Sequence, residues 1–457
     1  NYIPAPYSIY KGVSKLFPGT LLTVSLQDRS PKLSTFWSGA DVARSGVAST
    51  FAGNSEHAIN ELEILLKDAI SKQMLADVPL GAFLSGGIDS SVIVSLMQAQ
   101  SSRPIKTFTI GFNEDDYNEA AYAKAVAKHL GTDHTELYVT AKQARAVIPH
   151  LATLYDEPFS DSSQIPTFLL SQLARQQVKV SLSGDAGDEL FCGYNRYQLI
   201  KNIWPKFERV PMSFRKLIGK SLIRISPQKW NVLAKISSKL LPQSYHFTNV
   251  GDKLHKGARV LASQSVDDLY HRLISHWDNP ESLVIEGYEP PTFMTENTPN
   301  LVGLDDVQRI MALDMLSYLP DDILTKVDRA AMGNSLETRV PFLDYRVVDF
   351  AWGLPQCMKL RYGKTKWILR QILYRHVPKT LIDRPKMGFG VPIDAWLRGP
   401  LRDWAESLLD TTRIKNEGFF NPSLILQKWT EHLNGQYNWQ NHLWNLLMFQ
   451  SWLEKNK

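Results

Sequence analysis

Cysteine is nearly absent from this 457-residue chain, which holds only Cys192 and Cys357. Two thiols exclude a disulfide-stapled scaffold and fit a reducing compartment. No C-x-x-C, H-E-x-x-H or EF-hand spacing occurs, which argues against a dedicated zinc or calcium site. No apolar run approaches the ~18 residues that suggest a membrane-crossing helix. No secretory leader pattern opens the chain either, so a cytoplasmic setting is expected. Charge of one sign is also scarce. Lys and Arg number 51 against 46 Asp and Glu, and the resulting +5 is too small over this length to argue for nucleic acid or membrane as a partner. What remains is ordinary globular composition, with a length that suggests roughly two or three domains.

One further absence is more informative. Residues 80–84 are a short apolar run suited to a buried strand. Residues 85–91 (SGGIDSS) are small, polar and glycine-rich, and an apolar helical run follows at once. Strand, tight turn and helix N-terminus make an anion site, because the first N–H groups lack internal partners and the macrodipole adds positive charge. Gly86 and Gly87 let a phosphate approach the main chain. The loop contains no lysine, so it is not the G-x-x-x-x-G-K-[ST] loop of the NTPases. Asp89 stands there instead. A carboxylate beside phosphates calls for a cation between them, usually Mg²⁺. The structural alternative is an ordinary helix start, with Ser85 as cap and Asp89 complementing the dipole; the complete motif after an apolar run favours nucleotide phosphate.

The chain before this loop divides by composition. Within residues 1–54, Pro4, Pro6, Pro18 and Gly19 punctuate short runs at 21–24 and 35–37 around a polar turn at 27–31, a hairpin pattern. Residues 38–54, rich in Ser, Gly and Ala, read as a linker. From Ser55, expected as N-cap, Ile59, Leu62, Leu65, Leu66, Ala69 and Ile70 lay out the apolar face of a helix.

After the loop, strand patterns at 105–111, 134–139 and 178–182 alternate with helical ones at 118–130, up to 154, and at 164–176. This argues an α/β fold with a doubly wound parallel sheet and a ligand outside the carboxyl ends of its strands. That rule locates a second candidate site. Strand 178–182 runs directly into Ser183, Gly184, Asp185, Ala186, Gly187, Asp188 and Glu189. Asp185, Asp188 and Glu189 share one face of a helical turn. They repel unless a cation or basic group joins them or one carboxyl stays protonated.

Past residue 195 the pattern changes. Residues 201–240 set ten Lys and Arg against Glu208 alone. Interleaved apolar residues at helical spacing favour ordinary helices with a basic exposed side over a nucleic-acid face. From Asp305 on, helical patterns dominate and no strand alternation returns, so this part is expected to be mostly α. Trp352, Trp367, Trp396, Trp404, Trp429, Trp439, Trp444 and Trp452 read as core. Asp322 and Lys326 are spaced for an i,i+4 salt bridge. Spacing alone does not separate a solvent-facing from a functional role for Lys364 or Lys366.

Taken together, residues 85–91, 182–194 (LSGDAGDELFCGY), 324–344 (LTKVDRAAMGNSLETRVPFLD), 363–370 (GKTKWILR) and 384–392 (RPKMGFGVP) resemble the synthetase part of the glutamine-hydrolysing asparagine synthetase family. The first motif is shared with other ATP pyrophosphatases; the combination, in family order from near residue 55 to the C-terminus, is specific. The resemblance implies an ATP-pyrophosphatase (adenine nucleotide α-hydrolase-like) sheet over about 55–200 and a mainly helical part over 201–457. Residues 1–54 would be the residual hairpin of a glutaminase domain plus a linker. It also implies ATP and Mg²⁺, and a ligase that adenylates a carboxylate, aspartate by family default. Pyrophosphate leaves, and ammonia attacks the acyl-adenylate.

Carried over residue by residue, Ser85, Gly86, Gly87, Asp89, Ser90 and Ser91 hold the β- and γ-phosphates, and Asp89 and Asp188 bind Mg²⁺. Leu84, Ile110, Ser183 and Gly184 line the adenosine pocket. Lys366 matches the lysine of the family's K-x-x-L-R stretch, which points at the reacting phosphate, where a fixed cation stabilises developing charge; Lys364 is the fallback. Asp185 stands where the most comparable members have Glu. It is expected to act as base or intermediate-positioning carboxylate, and its shorter side chain leaves room for a substrate other than aspartate. Cys192, where Gly is usual, reads as a small core residue.

In such families the glutaminase nucleophile is an N-terminal cysteine. Here the first residue is Asn1, so glutaminase activity is not expected from this chain, and ammonia is expected from a glutaminase domain outside it. The expected partners are a small carboxylate and ammonia, with no nucleic acid and no membrane; a homodimer is admissible. Two alternatives stand beside this. One is the same adenylating chemistry on another acid, such as sugar uronate amidation or lactam or peptide ring closure. The other is a silent scaffold, against which Ser85, Asp89, Asp188 and Lys366 weigh, because packing needs none of these groups.

Overall fold

The structure is a computed structural model, and it describes residues 1–112, 119–238, 250–295, 298–383 and 390–456, without the side chains of 236–238 and 252. Most of the motif at 384–392 therefore lies outside the described residues. The chain divides into two units: Asn1–Tyr197 with Asn297–Val391, and Gln198–Glu296 with Pro392–Lys457.

The first unit opens with β1 (Thr20–Thr23) and β2 (Lys32–Thr35), an antiparallel hairpin in which Thr20 faces Thr35 and Thr23 faces Lys32. Five more strands form one parallel sheet: β3 (Leu80–Phe83), β4 (Lys106–Phe112), β5 (Asp133–Val139), β6 (Val180–Leu182) and β7 (Glu337–Arg339), in the order β5-β4-β3-β6-β7. The chain builds outward from β3 in one direction through β4 and β5, then in the other through β6 and β7. The order thus reverses between β3 and β6, and the crevice at such a reversal is where doubly wound sheets bind ligands. The register Leu80↔Val180, Ala82↔Leu182 brings the carboxyl ends of β3 and β6 level, so residues 84–91 and 183–189 leave the sheet side by side.

Both motif-bearing strands are short, and β3 is buried at its two central residues. β6 is buried throughout, and in the helix Ile88–Ala99 every residue from Ser90 to Met97 is buried. Val92, Ile93, Val94, Leu96 and Met97 contribute about 1.5–3 kcal/mol each through burial. That anchoring makes the helix N-terminus a rigid platform. The helix Ala120–Leu130 ends at Gly131, whose φ of +70° and N–H to the Ala127 carbonyl make a left-handed stop.

Two local expectations fail. Residues 38–54 are not simply a linker: Gly39–Ala48 is a helix, capped by the Ser38 hydroxyl accepting from Asp41 N–H at 3.2 Å. Its small residues serve close packing, since a Cβ on Gly46 would lie 2.7 Å from the Trp352 carbonyl carbon. The next helix, Ser55–Gln73, is capped by Asn54 rather than Ser55. The mostly helical part after Asp305 also contributes a short strand to the sheet. Glu337–Arg339 pairs with β6, and the Ser183 N–H donates to the Arg339 carbonyl at 2.8 Å. Three residues are too few for an alternation to be visible.

The second unit is helical. Met212–Arg224, Pro227–Ser238, Val250–Val260 and Val266–Ile274 come from its first stretch. Its second stretch supplies five more helices, from Ile393–Arg398 to Gln440–Lys455. Trp396, Trp429, Trp444 and Trp452 are buried in this unit and Trp352 in the first, as core residues; Trp367, Trp404 and Trp439 are half-buried. Among the described residues no helix is long and apolar enough to cross a membrane.

Candidate active site

Leu84 follows β3 as a buried residue whose N–H donates to the Phe108 carbonyl at 2.9 Å. The chain then turns at Gly86, where φ is +71° and a Cβ would lie 2.7 Å from the Ala123 nitrogen. Only glycine meets both conditions without strain. Gly87, not Ser85, is the N-cap of the helix and brings no capping side chain. Ser85 Oγ instead accepts from Gly87 N–H at 3.2 Å and shares a hydrogen bond with Ser90 Oγ at 3.0 Å. The two hydroxyls thereby fix the shape of the loop.

The turn after β6 presses onto this platform. A Cβ on Gly184 would lie 2.7 Å from the Ser90 nitrogen, and one on Gly187 would lie 2.7 Å from Asp89 Cγ. Ala186 takes a φ of +69° to make the approach. Asp188 then sits in the single helical turn Gly187–Leu190.

The third component arrives from far along the chain. Lys366 caps the helix Trp367–Leu373 with a φ of +53°, and its N–H donates to the Phe191 carbonyl at 3.2 Å. Only 4% of it is exposed. Its Nζ donates to Asp89 Oδ2 and lies 2.7 Å from Asp188 Oδ1. Burial works to lower its pKa, but Asp188 and Asp89 outweigh that and hold it raised, so the ammonium keeps its charge. Lys364, in contrast, is exposed and pairs with Asp383 at 3.0 Å.

Two hard carboxylates converging on one cation position fit Mg²⁺. Among the described residues no group of three or more His, Cys, Asp or Glu could hold a metal.

A second charged cluster adjoins the turn after β6. Lys326 Nζ donates to Asp161 Oδ2 at 2.8 Å, while Asp161 Oδ1 accepts from Ser163 N–H and Oγ at 2.9 and 2.8 Å. Burial opposes ionisation of Asp161, but Lys326 and Ser163 hold it well below the usual carboxylate range. Asp322, beside it, is pushed up to about 8 by burial and by the Asp161 charge. The Ser183 hydroxyl donates to Asp185 Oδ2. Burial raises the Asp185 carboxyl, Ser183 and Lys326 pull it back, and Asp188 adds to the rise. Glu189 is pushed up to about 7 by burial and Asp188, and accepts from Tyr194 Oη at 2.6 Å.

With this geometry in view, comparison with known proteins is decisive. A family model described as asparagine synthase matches residues 61–454. The chain belongs to the asparagine synthase family. It is 32% identical over 457 residues to a putative glutamine-hydrolyzing asparagine synthetase of Mycobacterium tuberculosis, covering 99% of this chain but 65% of that protein. Glutamine-hydrolyzing asparagine synthetase 1 of Bacillus subtilis is 28% identical over 453 residues, with 99% and 67% covered. The amidase chyE of Penicillium rubens is 25% identical over 447 residues, with 90% and 63% covered. The chain thus spans about two thirds of the length of these relatives.

Within the first unit of this family member, the structure brings together Ser85, Gly86, Gly87, Asp89, Ser90, Ser91, Ser183, Gly184, Asp188 and Lys366. Leu84 is buried just beyond β3 and Ile110 is buried within β4. Asp185 stands on the same turn, where the charges of Lys326 and Asp188 both act on its carboxyl. Sequence reasoning missed Gly187 and Asp161, and it paired Lys326 with the wrong carboxylate. Lys326 closes on Asp161, 165 positions away, which no helical spacing reveals. The run Ser160-Asp161-Ser162-Ser163 carried one usable signal, since Asp followed by Ser at i+2 favours the side-chain-to-backbone turn seen here.

Proposed function

We propose that this chain is an ATP-dependent amidating ligase: it adenylates a carboxylate, releases pyrophosphate and transfers ammonia to the acyl-adenylate. The observation that carries this reading is Lys366, a buried ammonium held by Asp89 and Asp188 at the junction of two glycine-bearing turns. A phosphate-transferring loop would place a lysine inside the glycine turn. Here the positive charge comes from outside the turn and two carboxylates face it.

In this reading the main chain of Ser85, Gly86 and Gly87 and the hydroxyls of Ser90 and Ser91 hold the β- and γ-phosphates at the helix N-terminus. Leu84, Ile110, Ser183 and Gly184 border the adenosine. Asp89 and Asp188 are the residues to hold Mg²⁺, which when bound neutralises phosphate charge and supports departure of pyrophosphate. Lys366 supplies a charge already in place where negative charge grows during adenylation, so little reorganisation is needed. Asp185, whose affinity for a proton is raised, is suited to accept one from the attacking ammonia. Lys326, fixed by Asp161, stands beside Asp185 as a cationic anchor for the acid substrate.

Aspartate is the default acid from relatives named asparagine synthetases. The short Asp185 side chain supports a second reading, in which another carboxylate is amidated. The names of those relatives include glutamine hydrolysis, and we assign ammonia supply to a glutaminase part outside this chain, with the β1–β2 hairpin as its last element. Two free cysteines, one buried and one exposed, support a cytoplasmic setting.

Pyrophosphate release with ATP, Mg²⁺ and ammonium across a panel of carboxylic acids tests the proposal. Dependence on aspartate supports the first reading and dependence on another acid the second; silence with every acid would sink both. Robust release of ammonia from glutamine by this chain would overturn the assignment of ammonia supply elsewhere.

A further inference from the structure

The basic stretch from residue 201 to 240 has no part in the proposed reaction. Its apolar residues were expected to face inward, leaving a basic outer side. The structure turns several of them out. In the helix Met212–Arg224 the packed side is formed by Arg215 and Gly219. Arg215 is buried and donates to the Ser263 carbonyl at 2.8 Å. Gly219 lies so close to the helix Val250–Val260 that a Cβ would stand 2.9 Å from the Ala258 carbonyl oxygen. With that side fixed, Phe214, Leu217 and Ile218 point to solvent, 61%, 60% and 42% exposed. Residues three and four apart share one side of a helix, so the three form a stripe, with exposed Lys216, Lys220 and Arg224 beside it. In the helix Pro227–Ser238, Val232, Leu233 and Lys229 are exposed as well.

Charge says what kind of surface covers this stripe. Ten basic residues against one acid give residues 201–240 a charge of +9; the whole chain carries +5, so the rest carries −4. The small total had argued against a membrane partner, yet it conceals a local excess of positive charge along this stretch. We propose that this face of the second unit docks on an anionic phospholipid surface. Phe214, Leu217 and Ile218 enter the headgroup layer, and the lysines extend to the phosphates.

Two features favour that occupant. A second copy of the chain would bring Lys216, Lys220 and Arg224 against themselves across a two-fold axis, which like-charge repulsion opposes. The stripe is also a convex helix side, and the Ser221 hydroxyl on it is already bonded to the Leu217 carbonyl at 2.9 Å. A folded acidic partner would need shape and hydrogen-bond complements that such a surface does not offer. A fluid bilayer adapts to it, and an apolar stripe flanked by Lys and Arg is the pattern of helices that lie in the interface.

Sedimentation of the full chain with vesicles tests this. Phosphatidylcholine vesicles containing phosphatidylglycerol are expected to pellet the protein, pure phosphatidylcholine vesicles are not, and salt should weaken the binding. Phe214→Ser with Leu217→Ser, and separately Lys216→Glu with Lys220→Glu, should each lower the partition coefficient by about tenfold or more. Both pairs are exposed and remote in sequence from the site, so an unchanged melting temperature is expected and certifies the fold. Absence of binding, equal binding to neutral vesicles, or double variants that pellet like the parent would overturn the proposal. So would a dimer in light scattering that dissociates on Phe214→Ser, which would assign the stripe to a second copy.

Discussion

Replacing Lys366 by methionine keeps most of the side chain's volume and removes its charge, leaving Asp89 and Asp188 facing one another. Both carboxylates are about one-fifth exposed, so solvent screens them only in part. Two oxygens within hydrogen-bond reach of one nitrogen are about 5 Å apart, and at an effective dielectric constant of ~20 two unit charges at that distance repel by about 3 kcal/mol. Removing one member of a buried charge pair typically costs ~3–5 kcal/mol, in line with that figure. The metal-free variant should therefore melt several degrees below the parent. Added Mg²⁺ should raise the variant's melting temperature more than the parent's, because the ion then neutralises two carboxylates without competing with an ammonium. Melting curves with and without Mg²⁺, on both proteins and without nucleotide, supply the test. A variant that melts with the parent and responds equally to Mg²⁺ would refute the placement of both the lysine and the metal.

Asp89→Asn and Asp188→Asn should each lower pyrophosphate release by about a hundredfold or more, the scale of losing a main electrostatic group, while circular dichroism reports an intact fold. Near-normal turnover in either would mean that the metal lies elsewhere. Gly187→Ala places a methyl 2.7 Å from Asp89 Cγ. It should raise the KM for ATP and cost about 1–3 kcal/mol of stability, as overpacking does; an unchanged KM would show that the two turns do not act together. Lys359 is buried over the Trp352 ring, 5.0 Å from its centre, and burial pulls its pKa from 10.5 down to about 8. The folded state then binds fewer protons than the unfolded one between those values, so stability rises with pH from about 8 to 10.5. The penalty carried at neutral pH is on the order of 3 kcal/mol. Lys359→Met should recover much of it and flatten that slope, as urea unfolding at several pH values would reveal; a variant no more stable than the parent at neutral pH would contradict it.

The parts of this fold that were legible were those whose signal is local. Residues 80–99 carry a strand, a glycine turn and a helix in twenty consecutive positions, and the chemistry of the turn follows from its missing lysine and its Asp89. The carboxylate turn at 183–189 was legible for the same reason, including the need for a cation or a raised pKa: Asp188 found Lys366, and the Asp185 and Glu189 carboxyls are raised. Features set by distant packing were not legible. The Gly39–Ala48 helix has a loop-like composition because it packs closely on another helix. β7 is three residues long and is a strand only because β6 lies beside it. Lys326 feels the charge of its helical neighbour Asp322 but gives its hydrogen bond to Asp161, a carboxylate brought in by tertiary structure. The outward apolar stripe at Phe214 was missed because periodicity reports that a helix has two sides but not which side the rest of the unit covers.

Adenylation is the centre of the account, and the fate of the substrate's oxygen tests it most directly. The carboxylate that supports turnover, labelled with oxygen-18, is supplied with ATP, Mg²⁺ and ammonium, and the nucleotide product is analysed by mass. The account predicts AMP carrying one labelled oxygen, formed in step with pyrophosphate and amide. ADP with inorganic phosphate, or AMP without the label, would contradict it.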